Sequence, residues 1–156
     1  MRTLVLGVGN PLMSDDGVGL RVLEALSGQQ PALDDVDYLD AGTLSLLLLP
    51  RFEHCDALLV LDAAQLGGSP GDLCVLHGAD MDAFFRNARG SVHEVGIRDL
   101  LDAARLTGTL PSRRAFVGVQ PQRVAIGSTL SPSPHASIAP ATAHARAILV
   151  AWRSDV

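Results

Sequence analysis

The stretch "TLVLGVGNPLMSDDGVGLRVLEAL", residues 3–26, decides how the chain begins to fold. Residues 3–8 form a continuous apolar run, as in a strand buried on both faces. Residues 17–26 carry apolar side chains at helical spacing. Between them, two glycine-bearing turns flank the adjacent carboxylates Asp15 and Asp16. Strand, glycine turn and helix in that order open an α/β unit.

Working outward, the same alternation continues. Residues 36–40 read as a second strand and 43–52 as a short, very apolar helix. "ALLVLD", residues 57–62, is apolar up to its last residue and reads as the central strand. "QLGGSPG", residues 65–71, is a turn, and 72–77 return as a strand, expected to be antiparallel through a hairpin. Residues 80–87 read as a helical turn. Ser91-Val92-His93-Glu94 has the form of a capping box and opens a helix to about Leu106. Residues 115–119 are a further strand, and 123–126 a short edge. The Ala-rich run 140–152 closes the chain as a helix, with a start made ragged by Pro132, Pro134 and Pro140. The expectation is one α/β domain over residues 1–156, a three-layer arrangement with a twisted, mostly parallel sheet of about five strands and helices on both faces.

Bulk properties narrow the function. At 156 residues and 47% apolar, the chain can bury a sizeable core. The net charge is −5, every basic residue is Arg, and aromatics are 4%, which argues against nucleic-acid binding. No apolar run approaches the roughly 20 residues of a membrane span. The N-terminus lacks the pattern of a signal peptide, so a cytoplasmic location is expected. Cys55 and Cys74 form no CxxC pair and are expected as free thiols. No sustained heptad calls for an oligomer, and a monomer is expected.

Three familiar motifs fail on inspection. G-x-G-x-x-G needs a glycine where Leu12 stands, and two carboxylates at the helix start would repel a pyrophosphate. Gly67-Gly68-Ser69-Pro70-Gly71 matches G-x-S-x-G, but Pro70 has no N–H to offer an oxyanion and a strand follows. His93-Glu94 begins H-E-x-x-H, yet position 97 is Ile.

What remains is polar residues at strand ends, where ligands of open α/β sheets gather. Asp15 and Asp16 follow the first strand, Asp40 ends the second and Asp62 the third, and His93 opens a helix. A helix N-terminus disfavours imidazolium, which would keep His93 neutral. Carboxylates with one imidazole suit a divalent transition metal, and do not form a closed structural site. Each residue alone has a plainer reading. One of Asp15 and Asp16 is expected to cap the helix; Asp40 could satisfy a turn and Asp62 loop amides; His93 could be solvated. His54, His77, His135 and His144 show no convergence and read as surface or structural.

The residues in this order also resemble the hydrogenase maturation proteases, endopeptidases that process the large subunit of [NiFe]-hydrogenases. The resemblance covers nearly the whole chain and rests on "LGVGNPLMSDDGVG", "DAGT…LLP", "LVLDAA", "GGSPGDL", "SVHEVGIRDLLDAARLTG…P" and "VGVQP". It implies that Asp16, Asp62 and His93 contact a metal and that Asp40 takes part in substrate recognition. It implies that the metal is nickel, carried by the immature large subunit, with the isolated protease metal-free. Removal of a C-terminal extension from that subunit is the implied reaction. No Ser/His or Cys/His dyad supplies a nucleophile, so the catalytic group stays open, with Asp16, Asp62 and His93 as the candidates, acting through the metal. A chaperone that reads the metal without cutting is the alternative, and a small nucleotide-binding domain a third.

Overall fold

A computed structural model describes residues 1–43, 46–88 and 92–154. Five strands form one sheet: β1 (Thr3–Val8), β2 (Val36–Gly42), β3 (Ala57–Ala63), β4 (Leu73–His77) and β5 (Arg113–Val119). Their spatial order is β2-β1-β3-β5-β4. The first four in that order run parallel, and β4 pairs antiparallel with β5. The antiparallel direction of β4 is as the turn chemistry predicts, but there is no β3–β4 hairpin. β5 lies between them, because Ala57–Ala63 pairs along its whole length with Arg113–Val119.

Six helices accompany the sheet: α1 (Val18–Ser27), α2 (Leu49–Phe52), α3 (Gly78–Asn87), α4 (Val92–Thr107), α5 (Pro132–Ala136) and α6 (Ile138–Ser154). Two cores lie on the two faces. On one, Val22 and Leu26 of α1 and Ala145 and Leu149 of α6 pack on Val5, Leu59, Leu61 and Val117. On the other, Phe52 of α2, Phe85 of α3 and Ile97 and Leu101 of α4 pack on Leu4, Leu6, Leu58, Val60 and Phe116. Strand residues of alternating parity thus supply the two cores, which explains why β1 and β3 are buried throughout.

Three local expectations change. The helix expected over 43–52 reduces to a 3₁₀ turn, Leu46–Leu48, followed by α2; residues 44 and 45 lie outside the described set. The short edge expected at 123–126 is not a strand; a single parallel bridge joins Met13 to Gly127. The region at 80–87 is a ten-residue helix, α3. Ser91 of the expected capping box lies outside the described residues.

Neither aspartate of the first loop caps α1. Its N-cap is Gly17, with no side-chain cap hydrogen bond. Asp15 is fully buried and anchors the long segment after β5. Its Oδ2 accepts the N–H groups of Gln122 (2.9 Å) and Arg123 (2.8 Å), and its Oδ1 accepts that of Ser131 (2.6 Å). Ser14 adds an Oγ bond to the Ala125 carbonyl at 2.8 Å. Burial alone would raise the Asp15 carboxyl, but the donors from Ser131, Arg123 and Gln122 outweigh it and hold it below the usual range.

Asp15→Ala leaves three amides without their acceptor and is expected to lower stability by about 2–4 kcal/mol in chemical denaturation. Because the folded pKa lies below the unfolded one, the wild-type advantage is complete above the ordinary carboxylate range. It is lost as pH falls through the depressed value. Denaturation curves of both proteins at neutral pH and at about pH 3 check this.

Candidate active site

The sheet order changes direction at β1: the chain passes from β1 outward to β2, then returns to β3 on the other side. This is a topological switch point, and the crevice lies beyond the carboxyl ends of β1 and β3. Two glycines let the chain close around it. A side chain on Gly19 would strike the carbonyl oxygens of Val8 and Leu61, so α1 lies directly against the strand ends. Gly9 has φ +137°, and a Cβ there would strike the Asp16 carbonyl. Substitution at either would push the carboxylate loop away from β3.

Three predicted residues meet in this crevice. Asp16 stands in the 3₁₀ turn before α1, where its Oδ2 accepts the Asn10 N–H at 2.9 Å. Its other oxygen, Oδ1, lies 3.5 Å from His93 Nδ1. Asp62 is the penultimate residue of β3, with its Oδ1 3.6 Å from the same nitrogen. His93 lies in the first turn of α4, one turn before buried Ile97 and on the stripe that continues through Leu100, Leu101 and Ala104. The packing that seats α4 on the sheet therefore also points His93 at Asp62.

The electrostatics are unusual for a protein interior. Asp62 is 1% exposed and His93 7%. Neither oxygen of Asp62, nor Nδ1 of His93, has a hydrogen-bond partner among the described residues. Burial pushes the Asp62 carboxyl up to about 7, despite the opposing pull of His93. Asp62, and then Asp16, raises the His93 imidazole above its ordinary value. The helix terminus expected to favour the neutral imidazole is thus opposed by two carboxylates, which pull the other way.

Distances of 3.5 and 3.6 Å are too long for a good N–H···O bond. Donors bound to a metal at about 2.0–2.2 Å stand about 3.0–3.6 Å from one another. No group of three His, Cys, Asp or Glu side chains among the described residues forms a ready-made chelate. Of the three, Asp16 lines the neighbouring cleft, and Asp62 and His93 lie buried behind it.

Asp40 stands apart from the three. It is exposed at the end of β2, in register with Gly7, and its Oδ1 accepts the Gly42 N–H at 2.8 Å, the turn role open to it from sequence. It lines a hollow of about 400 Å³ with Pro11, Leu20, Arg21 and Tyr38. The two thiols are elsewhere. Cys55 precedes β3, at the end of the strands opposite the crevice, and burial pushes it up to about 11. Cys74 lies on β4, and burial raises it too. Neither has the depressed pKa of a reactive cysteine.

Beside the three residues a cleft of about 260 Å³ is lined by Asp16, Ala63, Ala64, Gln65, Glu94, Pro121 and Val124. Of these polar groups, Gln65 carries no role in the sequence reading, nor does Gln120 behind it, and Glu94 enters there only as the capping-box residue. Glu94 is 2% exposed, and its Oε1 accepts the Gln65 N–H at 3.3 Å. Gln120 could have been noticed in "VGVQP" as a polar residue at a strand's carboxyl end.

Asp62→Asn is expected to raise the thermal unfolding midpoint. The Asp62 penalty is absent below the unfolded carboxylate value, grows with pH, and is complete above about 7. The gain over wild type should be largest at pH 8 and vanish near pH 4, as calorimetry at the two pH values would show.

Comparison with known proteins places this architecture. The family model described as hydrogenase maturation protease (HycI) matches residues 20–147. The hydrogenase expression/formation protein HupD of Rhodobacter capsulatus is 38% identical over 156 residues, covering 99% of this chain and 74% of its own. The hydrogenase 2 maturation protease of Escherichia coli (strain K12) is 38% identical over 142 residues, covering 90% and 86%. Among solved structures, the hydrogenase maturating endopeptidase HybD from E. coli superposes with a TM-score of 0.87 at 36% identity, covering 99% of this chain and 94% of that one. HybD from Thermococcus kodakarensis gives 0.79 at 26% identity, covering 95% and 99%. With its fold matched over nearly its full length and the family model spanning most of its sequence, the chain belongs to the hydrogenase maturation protease family.

Proposed function

We propose that this protease removes a C-terminal extension from the immature large subunit of a [NiFe]-hydrogenase, and that it recognises nickel already held by that subunit. The observation carrying this reading is the buried, unpartnered set of Asp62 oxygens and His93 Nδ1 beside Asp16 Oδ1. A protein interior tolerates such atoms poorly unless a further group completes them. A nickel ion arriving on the substrate is such a group. Two carboxylates and an imidazole suit a divalent transition metal, and the open crevice leaves room for the substrate's own ligands. Nickel is then cargo of the substrate and the protease holds none by itself.

The surroundings fit a protein partner. Leu12, Val124 and Ile126 are exposed apolar residues on the loops after β1 and β5, which the Met13–Gly127 bridge joins. Asp40 contributes to recognition from the neighbouring hollow, which Pro11 connects to the carboxylate loop. The raised thiols of Cys55 and Cys74 favour attack by water rather than by cysteine.

His93→Ala is expected to keep the fold, since the imidazole makes no hydrogen bond through Nδ1, and to abolish processing. Intact masses of a large-subunit precursor, incubated nickel-loaded or nickel-free with each protein, test the reading. Loss of a defined C-terminal peptide only from the loaded precursor, and only with wild type, is expected. Equal cleavage of both precursors would refute nickel recognition. Binding of the loaded precursor without mass loss would replace the protease reading by a chaperone that reads the metal.

A further inference from the structure

Gln65 leaves the end of β3 and lines the cleft next to Asp16. The orientation of its carboxamide is fixed by groups whose hydrogen-bonding sense is unambiguous. Leu66 N–H can only donate, and it donates to Gln120 Oε1 at 2.6 Å. That assigns the other end of Gln120 as Nε2, which donates to the Pro121 carbonyl at 3.2 Å. The same Nε2 donates at 3.0 Å to Gln65, whose atom there must be the acceptor Oε1. Gln120 is 6% exposed, so its half of the relay is shielded from competing water, while Gln65 itself is exposed. Gln65 is also held at its backbone, where its N–H donates to Glu94 Oε1. Its own Nε2 is left as a donor with no partner among the described residues, on a side chain that borders the cleft.

We propose that Gln65 is a substrate-positioning donor, its Nε2 hydrogen-bonding a neutral carbonyl oxygen of the large-subunit segment that lies in this cleft. The inference rests on the proposed processing of that subunit and adds to it a residue that reads the peptide itself. A neutral acceptor is selected because Asp16 and Glu94 line the same cleft and repel a carboxylate. Ala63, Ala64, Pro121 and Val124 supply the apolar remainder, which suits an extended peptide with an aliphatic side chain. A donor held by a relay loses little freedom on binding, so it selects register as well as affinity.

The test is the initial rate of C-terminal peptide release from a nickel-loaded large-subunit precursor, measured over a range of precursor concentrations. Gln65→Met keeps the length and removes the donor; the half-saturating concentration should rise about three- to tenfold, with a smaller change in maximal rate. Gln65→Glu places a carboxylate oxygen where the donor was and should do more harm. Gln120→Glu forces Gln65 to turn its amide inward to donate, so a variant that touches no substrate should reproduce the Gln65→Met effect. The double variant Gln65→Met/Gln120→Glu should be no worse than Gln65→Met alone, whereas a merely structural role predicts that the two effects add. Thermal midpoints within a few degrees of wild type keep folding separate from binding. Unchanged half-saturation in both Gln65 variants, while wild type processes the precursor, overturns this inference alone. A wild-type protein that leaves the loaded precursor intact overturns the processing reading and this inference with it.

Discussion

A carboxylate buried at the end of a central strand is expensive to keep, and Asp62 is kept without a hydrogen bond to either oxygen among the described residues. The chain around it closes in rather than opening to water. Gly19 allows α1 to lie on the carbonyls of Val8 and Leu61, Gly9 brings the Asp16 backbone close, and α4 seats His93 from the opposite face. The two apolar cores offset the penalty, and each fully buried aliphatic side chain contributes about 1.5–3 kcal/mol. The site is thus an electrostatic defect held in place by packing, and a cation is the simplest group that would relieve it.

The two aspartates of the first loop divide the work. Asp15 turns inward, and its three amide bonds tie residues 122, 123 and 131 to the start of the fold. Asp16 is held at one oxygen by Asn10 and presents the other to His93. The wall of the cleft that carries Pro121 and Val124 is therefore fastened to the same loop as the Asp16 carboxylate. A substrate segment meeting that wall and a nickel ion meeting Asp16 would sense a single rigid unit.

Much of this was legible in the sequence, for physical reasons that can be named. β1 and β3 are buried on both faces, so their apolar runs have no competing reading, and strand-end placement alone gathered Asp16 and Asp62. The family resemblance then singled out the same positions with His93. Sheet order was not legible at β4, because turn residues report a reversal of direction and not which strand becomes the neighbour. The expected cap of α1 failed because Asp15 found backbone donors more than a hundred residues away, which no local pattern encodes. The upward pull on the His93 imidazole was not legible for a similar reason: the helix terminus is local, and the two carboxylates come from other elements. The Gln120 relay depends on contacts with residues more than fifty positions distant and left no periodic trace.

The central claim is that side chains of this protease join a nickel ion already bound by its partner. Nickel X-ray absorption, recorded on the loaded precursor alone and then with the protease, addresses it most directly. The account predicts added nitrogen and oxygen scatterers at bonding distance with wild type, fewer of them with His93→Ala, and none with nickel salt removed from the precursor beforehand. A nickel spectrum unchanged by wild-type protease, under conditions where the two proteins are demonstrably bound, would contradict it.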